Sequence, residues 1–140
     1  MKKFCIKIGQ DHMQIQVIKQ LLNQTYWGRN YSLAQLETAT SHSICFGIFY
    51  TELDKQIAFA RVLTDYATRF YIMDVVVESN FRNLGIAQQL IEAIVHYEPL
   101  QNLRGLLMTQ DAQTLYEKCG FESYEITCMQ KRACHKINRY

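Results

Sequence analysis

Residues 71–91 have the sequence YIMDVVVESNFRNLGIAQQLI, and this stretch restricts the possible folds more than any other. Its first seven residues, 71–77, are mostly aromatic, apolar or β-branched, which predicts a buried β-strand. From Leu84 onward apolar side chains recur at helical spacing, which predicts an amphipathic helix over residues 84–97. A polar turn with one glycine, Gly85, joins the two elements. The stretch therefore predicts a strand, a tight turn and a helix.

Such a turn is suited to binding an anion. The first N–H groups of a helix have no intrahelical acceptor, and the helix dipole places partial positive charge beside them. Gly85 lacks a Cβ, so a phosphate could approach its backbone closely, and Ala87 is nearly as small. No Gly-Lys-Ser/Thr follows, which argues against a Walker-type nucleotide site. The alternative is an ordinary strand-to-helix turn in which glycine only supplies a positive φ.

Two motifs carry a resemblance to a known family. The segment Arg82-x-x-Gly85-x-Ala87 is similar to the Arg/Gln-x-x-Gly-x-Gly/Ala signature of the GNAT superfamily of acyl-CoA-dependent N-acyltransferases. Downstream, residues 115–121 (LYEKCGF) resemble the family's Leu-Tyr-x-Lys-x-Gly-Phe segment. The resemblance covers nearly the whole chain. It implies an α+β GNAT fold with a mixed central β-sheet.

Composition narrows the class of protein. A length of 140 residues predicts one domain, residues 1–140, with a substantial core, and 49% apolar residues argue against disorder. The formal net charge of +2 does not indicate a nucleic-acid or membrane-surface partner. No apolar run approaches the roughly 20 residues of a membrane-spanning helix, and the N-terminal MKKFCIKI becomes polar too early for a signal peptide. We therefore expect a cytoplasmic protein.

The cysteines do not indicate a disulfide framework or a metal site. The chain contains five of them, an odd number without C-x-x-C spacing. The ligand spacing of zinc sites is also missing. We therefore expect no metal.

Periodicity predicts the remaining elements in the order β-α-α-β-β-β-α-β-α-β. Ser32 is a candidate N-cap, and Gln35 three residues later would complete a capping box. The central strand, its helix and the next strand form a βαβ unit, so these two strands should be parallel. We predict strands at 4–8, 43–50, 57–63, 71–77, 103–109 and 123–131, and helices at 13–22, 32–41, 84–97 and 112–118.

The resemblance implies acetyl-CoA as the co-substrate. The central-strand backbone would hold the pantetheine arm and the thioester carbonyl, and the turn would wrap the pyrophosphate. The alternative for the strand residues is that they only form core. The implied cofactor-binding residues are Val75, Val76 and Val77 on the strand and Arg82, Asn83, Leu84, Gly85, Ile86, Ala87 and Gln88 in and after the turn.

Tyr116, in the second motif, is the candidate general acid. In many relatives the tyrosine of this motif protonates the departing thiolate, and a phenol with a pKa near ~10 can do so. The alternative is a packing tyrosine on an amphipathic helix. Relatives often have an asparagine near the start of this helix that contacts the pantetheine arm. Asp111 replaces it here, and we include Asp111 among the cofactor-binding candidates.

Asp74 is a carboxylate within an apolar strand, where a charge is costly unless it is paired or functional. Strand alternation places it on the face of Ile72 and Val76, opposite Met73 and Val75. It could be the base that deprotonates the amine or an anchor for the amine's ammonium form. It could equally form a salt bridge with Arg61 on the neighbouring strand.

Candidates for the acceptor site lie in two loops. Tyr26, Trp27 and Tyr31 are in the loop between the first two helices, where relatives often line the acceptor pocket. An aromatic wall would suit an apolar or cationic acceptor, although it could also be a lid that only packs. Asp65, at a strand end, is a further candidate.

Together these features predict an N-acetyltransferase that moves an acetyl group from acetyl-CoA directly to a primary amine. The acceptor could be a small molecule or a protein or peptide amine. A homodimer is compatible with the resemblance, but no residue pattern indicates it. The alternative function is a non-catalytic acyl-CoA-binding or sensing module on the same fold. A nucleotide-binding domain is a third interpretation, which lacks the expected phosphate-binding lysine and metal ligands.

Overall fold

Within the described residues five strands form one mixed sheet, and their spatial order is their order along the chain. The computed structural model describes residues 3–25 and 31–133. Neighbouring strands are antiparallel except the last pair, which is parallel as the βαβ unit predicts. The strands are β1 (Phe4–Ile8), β2 (Ile44–Tyr50), β3 (Lys55–Thr64), β4 (Arg69–Val77) and β5 (Arg104–Leu106).

The α-helices of the part of the chain that the structure describes cover the sheet: α1 (Ile15–Asn23), α2 (Leu33–Ser41), α3 (Ile86–Val95) and α4 (Gln113–Lys118). The predicted capping box at the start of α2 is confirmed. The Gln35 backbone N–H donates to the Ser32 hydroxyl at 3.0 Å, and the Ser32 N–H donates to the Gln35 side chain at 2.8 Å. None of the helices in the described ranges is long and apolar enough to span a bilayer.

The sheet separates two apolar cores. On one face α3 contributes Ile86, Leu90, Ile91 and Ile94 to the larger core, which Tyr116 from α4 also joins. On the other face α1 and α2 form the smaller core with strand residues that include Phe59 and Val76. Both faces of the central strands are thus buried, which explains their nearly continuous apolar sequence.

The strand β4 carries an extra residue relative to β3. Arg61 pairs with Met73 and Phe59 pairs with Val76, so two residues of β4 lie opposite the single residue between Phe59 and Arg61. This β-bulge reverses the alternation of side chains along the strand. Ile72 therefore packs in the larger core and Val76 in the smaller one. The predicted shared face for Ile72, Asp74 and Val76 is wrong for this reason.

The pairing of β4 with β5 is short. It covers three residue pairs and ends at Tyr71 opposite Leu106, whereas the sequence predicts a strand over 103–109. Beyond Tyr71 the two strands separate. We call residues 69–71 the paired segment of β4 and residues 72–77 the open segment.

The predicted final strand at 123–131 is wrong, because residues 121–133 form no strand. All side chains from 122 to 133 are exposed, including Tyr124, Ile126 and Met129. β-propensity alone does not stabilise a strand without a neighbour that supplies a ladder. Within the described ranges the element order therefore ends at α4.

Candidate active site

A cleft of about 700 Å³ opens where β4 and β5 separate. One wall is residues 71–77 of β4, and the opposite wall is residues 107–112 with Leu115 and Tyr116. Arg82 and Ala87 line the part where β4 leads into α3, and Thr25 and Tyr31 add to the lining from the region between α1 and α2. The cleft thus brings together residues from both predicted motifs.

At Val76 and Val77 the β4 wall presents main chain rather than side chains. Val76 and Val77 are buried, and their side chains pack in the smaller and the larger core respectively. No residue of the described chain forms a ladder with the cleft side of the open segment, because β5 pairing ends at Tyr71. Unpaired peptide groups beside a cleft are available to bind a ligand that carries amides or a carbonyl.

The start of α3 fits a phosphate group. Gly85 is the N-cap residue with φ +77°, a left-handed conformation that glycine adopts without strain. A Cβ at this position would meet no atom within 4 Å, so the space beside the backbone is open. No acidic residue lies in the first turn to repel an anion. The helix N-terminus and the Arg82 guanidinium, which donates from Nε to the Val77 carbonyl at 3.3 Å, supply positive charge.

The seven predicted residues of this turn differ in what they can offer. Arg82 and Ala87 line the cleft. Ile86 is buried in the larger core, and Gln88 donates its side-chain amide to Glu92 at 3.0 Å. Asn83 and Leu84 are exposed, and Asn83 has φ +62°. For Ile86 and Gln88, contact with a ligand would therefore be through the backbone.

Tyr116 faces the open segment of β4 across the cleft. It is 8% exposed, and its ring meets that of Phe121 edge-on with 6.0 Å between centroids. The hydroxyl has no hydrogen-bond partner within the described ranges, yet no buried side-chain oxygen there is left unsatisfied, so solvent in the cleft reaches it. Burial raises the pKa of Tyr116, and the nearby Cys119 thiol and Asp111 carboxyl raise it further. Tyr116 therefore holds its proton at neutral pH.

Asp74 lines the same wall, but its carboxylate is committed elsewhere. It accepts a hydrogen bond from Arg61 Nε at 2.5 Å, and its side chain is only 2% exposed. The salt bridge with Arg61 that the sequence left as an alternative is therefore present. A carboxylate this enclosed has little contact with an acceptor in the cleft, so the geometry favours the ion pair over a base or anchor.

The acceptor candidates are only partly placed. Tyr31 lines the cleft, whereas Tyr26 and Trp27 lie outside the described residues. Asp65 was a predicted acceptor-site residue, and it does not line the cleft. Its carboxylate accepts hydrogen bonds from the Thr68 hydroxyl at 2.6 Å, the Thr68 N–H at 2.8 Å and the Ala67 N–H at 2.9 Å. These bonds hold the pKa of Asp65 below its ordinary range and identify it as a turn-stabilising residue.

Comparison with known proteins identifies the family. A family model described as an acetyltransferase (GNAT) domain matches residues 41–123. A crystal structure of a GNAT-family protein from Xanthomonas campestris pv. campestris is 34% identical, with 95% of each chain covered and a TM-score of 0.85. The chain belongs to the GNAT family. It is accordingly an acyltransferase with the family's α+β fold.

More distant solved structures share the fold. A GNAT-family protein from Streptococcus pneumoniae is 20% identical over 93% of this chain and 98% of that one, with a TM-score of 0.74. Glucosamine-6-phosphate N-acetyltransferase from Arabidopsis thaliana is 18% identical over 93% and 99%, with a TM-score of 0.70. No curated protein sequence matches the chain at a significant level.

The cleft of this GNAT protein also contains residues that sequence reasoning missed. Tyr71 lines the cleft from β4, and Thr25 lines it from the end of α1. Met108, Thr109 and Gln110 form part of the opposite wall. Tyr71 had a local signal, since it begins the predicted central strand, residues 71–77. Met108, Thr109 and Gln110 reach the cleft through the path of the chain between the end of β5 at Leu106 and α4, and Thr25 reaches it from the end of α1.

Proposed function

We propose that this GNAT protein transfers an acetyl group from acetyl-CoA directly to a primary amine. The observation that carries the proposal is the cleft itself. It joins an unpaired backbone wall, a helix N-terminus with an open glycine, and a protonated tyrosine hydroxyl on the facing wall. These are the groups needed to hold a thioester, its pyrophosphate and its leaving group.

Bound acetyl-CoA would lie along the cleft in one direction. Backbone N–H groups after Gly85 and the Arg82 guanidinium would bind the pyrophosphate. The backbone of Val75, Val76 and Val77 would hold the pantetheine arm and the thioester carbonyl. Asp111 lines the facing wall beside Tyr116, where we expect it to lie near the pantetheine arm.

In the transfer step the amine nitrogen attacks the thioester carbon, the new C–N bond forms and the C–S bond breaks. Backbone N–H groups of the open segment would stabilise the negative charge that develops on the carbonyl oxygen. Tyr116 would donate its proton to the departing sulfur, and the proton lost by the amine would return the hydroxyl to its starting state through solvent. No covalent enzyme intermediate is needed.

The acceptor is proposed as a small molecule or a protein or peptide amine. Tyr31 and Thr25 line the cleft on the side of α1 and α2, and the Tyr31 ring would suit an apolar or cationic acceptor. A homodimer stays an expectation. We expect the protein to act in the cytoplasm, consistent with free thiols at Cys5, Cys45, Cys119 and Cys128 in the described ranges.

The test is turnover of acetyl-CoA with a panel of amines, followed by release of free thiol and by mass of the product. The panel includes small amines, amino acids and peptides with lysine. The expected result is acceptor-dependent thiol release with an increase in acceptor mass equal to one acetyl group. Tight binding of acetyl-CoA without turnover on any acceptor would instead indicate an acyl-CoA-binding module, and calorimetry with ATP tests the nucleotide-binding alternative.

A further inference from the structure

The buried ion pair between Arg61 and Asp74 lies at the β-bulge of β4. Arg61 is 8% exposed and Asp74 is 7% exposed. Beyond its bond to Asp74, the Arg61 guanidinium donates from Nη1 to the Ser43 hydroxyl at 3.4 Å. Arg61 thus connects β3, β4 and the residue that precedes β2. A buried guanidinium held by two partners is a rigid group.

Asp74 has an unusual backbone conformation. Its φ is +56°, in the left-handed region that non-glycine residues rarely adopt, although aspartate tolerates it better than most. A bulge whose first residue is left-handed is usually built with glycine at this position. Here an aspartate occupies it, so the surrounding structure must hold the conformation in place. The ion pair to Arg61 is the side-chain contact that Asp74 makes within the described residues.

The bulge determines which backbone groups of β4 point into the cleft. Successive N–H groups of a strand point to opposite edges, so one extra residue decides which amides of Val75, Val76 and Val77 point to β3 and which to the cleft. Without the extra position, the register that joins Arg61 to Met73 would continue and place Val75 opposite Phe59. Each of the three valines would then exchange both its face and its edge.

We propose that Arg61 is a positioning residue for acyl transfer, which acts through Asp74 by fixing the β4 bulge. The ion pair holds Asp74 at positive φ, and the bulge aims the backbone N–H groups of the open segment at the thioester carbonyl opposite Tyr116. The inference rests on the proposed function for its kinetic consequence. The structural consequence, a bulge that depends on Arg61, is independent of the acceptor.

The test replaces both partners, so that no buried charge is left unpaired. The variants are Arg61→Met/Asp74→Gly and Arg61→Met/Asp74→Val. Glycine adopts a positive φ without strain, whereas a β-branched residue does not, so only the glycine variant can keep the bulge. The measurements are kcat, KM for acetyl-CoA, CoA affinity by calorimetry and Tm. Tm shows whether each variant is folded at the assay temperature.

The expected result is a kcat for the glycine variant at least about tenfold above that of the valine variant, because donors aimed at the carbonyl act in the transition state. CoA affinity should agree between the two within about threefold, because the phosphate site is untouched. Equal loss of kcat in two folded variants would overturn the proposal, since the carboxylate itself would then be required. Wild-type kcat in both would overturn it as well.

If the glycine variant does not fold, Arg61→Lys provides the test. Lysine keeps the positive charge but lacks the planar guanidinium that reaches both Asp74 and Ser43. A several-fold lower kcat with unchanged CoA affinity would support the positioning role, and wild-type kcat would overturn it.

NMR distinguishes a failure of this inference from a failure of the proposed function. If the wild type acetylates no amine, CoA can still be titrated into the 15N-labelled protein. The proposal then expects CoA to shift the amide signals of Val75 and Val76 in the wild type and in the glycine variant, but not in the valine variant. The same shifts in all three proteins would overturn it.

Discussion

The two segments of β4 differ in what lies beside them. In the paired segment, residues 69–71, the backbone lies between β3 and β5, and Phe70 contributes its ring to the larger core. In the open segment, residues 72–77, β3 remains on one side and the cleft lies on the other. The paired segment is regular, whereas the open segment contains the bulge, a left-handed aspartate and a buried ion pair.

This difference shows how one strand can serve both the sheet and a ligand. Backbone groups satisfied on both sides contribute stability and have nothing left to bind with. Backbone groups satisfied on one side only are held rigidly and remain available. We therefore expect changes around the open segment to affect catalysis, and changes around the paired segment to affect stability.

The largest effect is expected for Gly85→Glu, next to the open segment. It places a carboxylate where the pyrophosphate would lie and forces a residue with Cβ to φ +77°. CoA affinity should fall at least about a hundredfold, because an anion would be repelled from the helix N-terminus. Calorimetry measures the affinity.

The matched control is Gly85→Ala, which carries the backbone strain without the charge. Its Cβ would meet no atom within 4 Å, so affinity should fall much less. An unchanged affinity in folded Gly85→Glu would remove the pyrophosphate from this site.

A smaller effect on activity is expected for Tyr116→Phe, because Tyr116 faces the open segment across the cleft. It removes one hydroxyl, so kcat should fall at least about tenfold while CoA affinity stays nearly constant. Because burial raises the pKa of Tyr116 above ~10, this acid should not lose its proton, or its activity, until the pH exceeds that value.

Tyr97→Phe is the control for Tyr116→Phe. Tyr97 is also partly buried and packs edge-on against Phe46, but it does not line the cleft. Its kcat should stay at the wild-type value. Equal kcat in both variants, with chemistry rate-limiting, would show that Tyr116 only packs.

The paired segment is tested by Gly105→Ala, which should leave catalysis by the folded protein nearly intact. An added Cβ would lie 2.3 Å from the Phe70 ring, which is buried. Overpacking of this kind costs about 1–3 kcal/mol, so the free energy of unfolding should fall by that amount. Urea denaturation measures it. Phe70→Leu/Gly105→Ala should recover part of the loss, and strictly additive effects would mean that the two residues do not clash.

The smallest catalytic effect is expected for Asp65→Asn, in the turn that precedes the paired segment. The variant should keep kcat/KM within about twofold, because surface changes away from a site are usually mild. Its Tm should be lower at pH 7. The pKa of Asp65 is lowered in the folded state, so its stabilising effect is present above the unfolded value of about 4 and is lost as the pH falls. The Tm difference should shrink accordingly, and a large loss of kcat/KM would place Asp65 in the acceptor site.

Local features of the fold could be predicted from the sequence. The Ser32–Gln35 capping box depends on residues three apart, and the turn with Gly85 depends on a short motif. The Asx turn at Asp65 was equally local, with Thr68 three residues later, but Asp65 was interpreted as an acceptor-site candidate as well.

Features that depend on partners far along the chain could not be predicted. The bulge at Asp74 depends on the register against β3, and strand alternation assumes that no residue is extra. The predicted strand at 123–131 has suitable residues but no neighbouring ladder in the structure. Thr25 and Gln110 both line the cleft although they lie far apart in the sequence.

Because β4 contains one extra residue, a homologue could lack residue 74 and still form the same sheet. Deleting Asp74 alone would leave Ile72 opposite Val62 and Val76 opposite Phe59, with every remaining side chain on its present face. In contrast, deleting a residue between Phe70 and Ile72 would turn the side chains of part of the strand to the opposite face of the sheet. Hydrophobic packing therefore does not require residue 74. A homologue lacking it could retain the whole sheet while losing the partner of Arg61 and the geometry of the open segment.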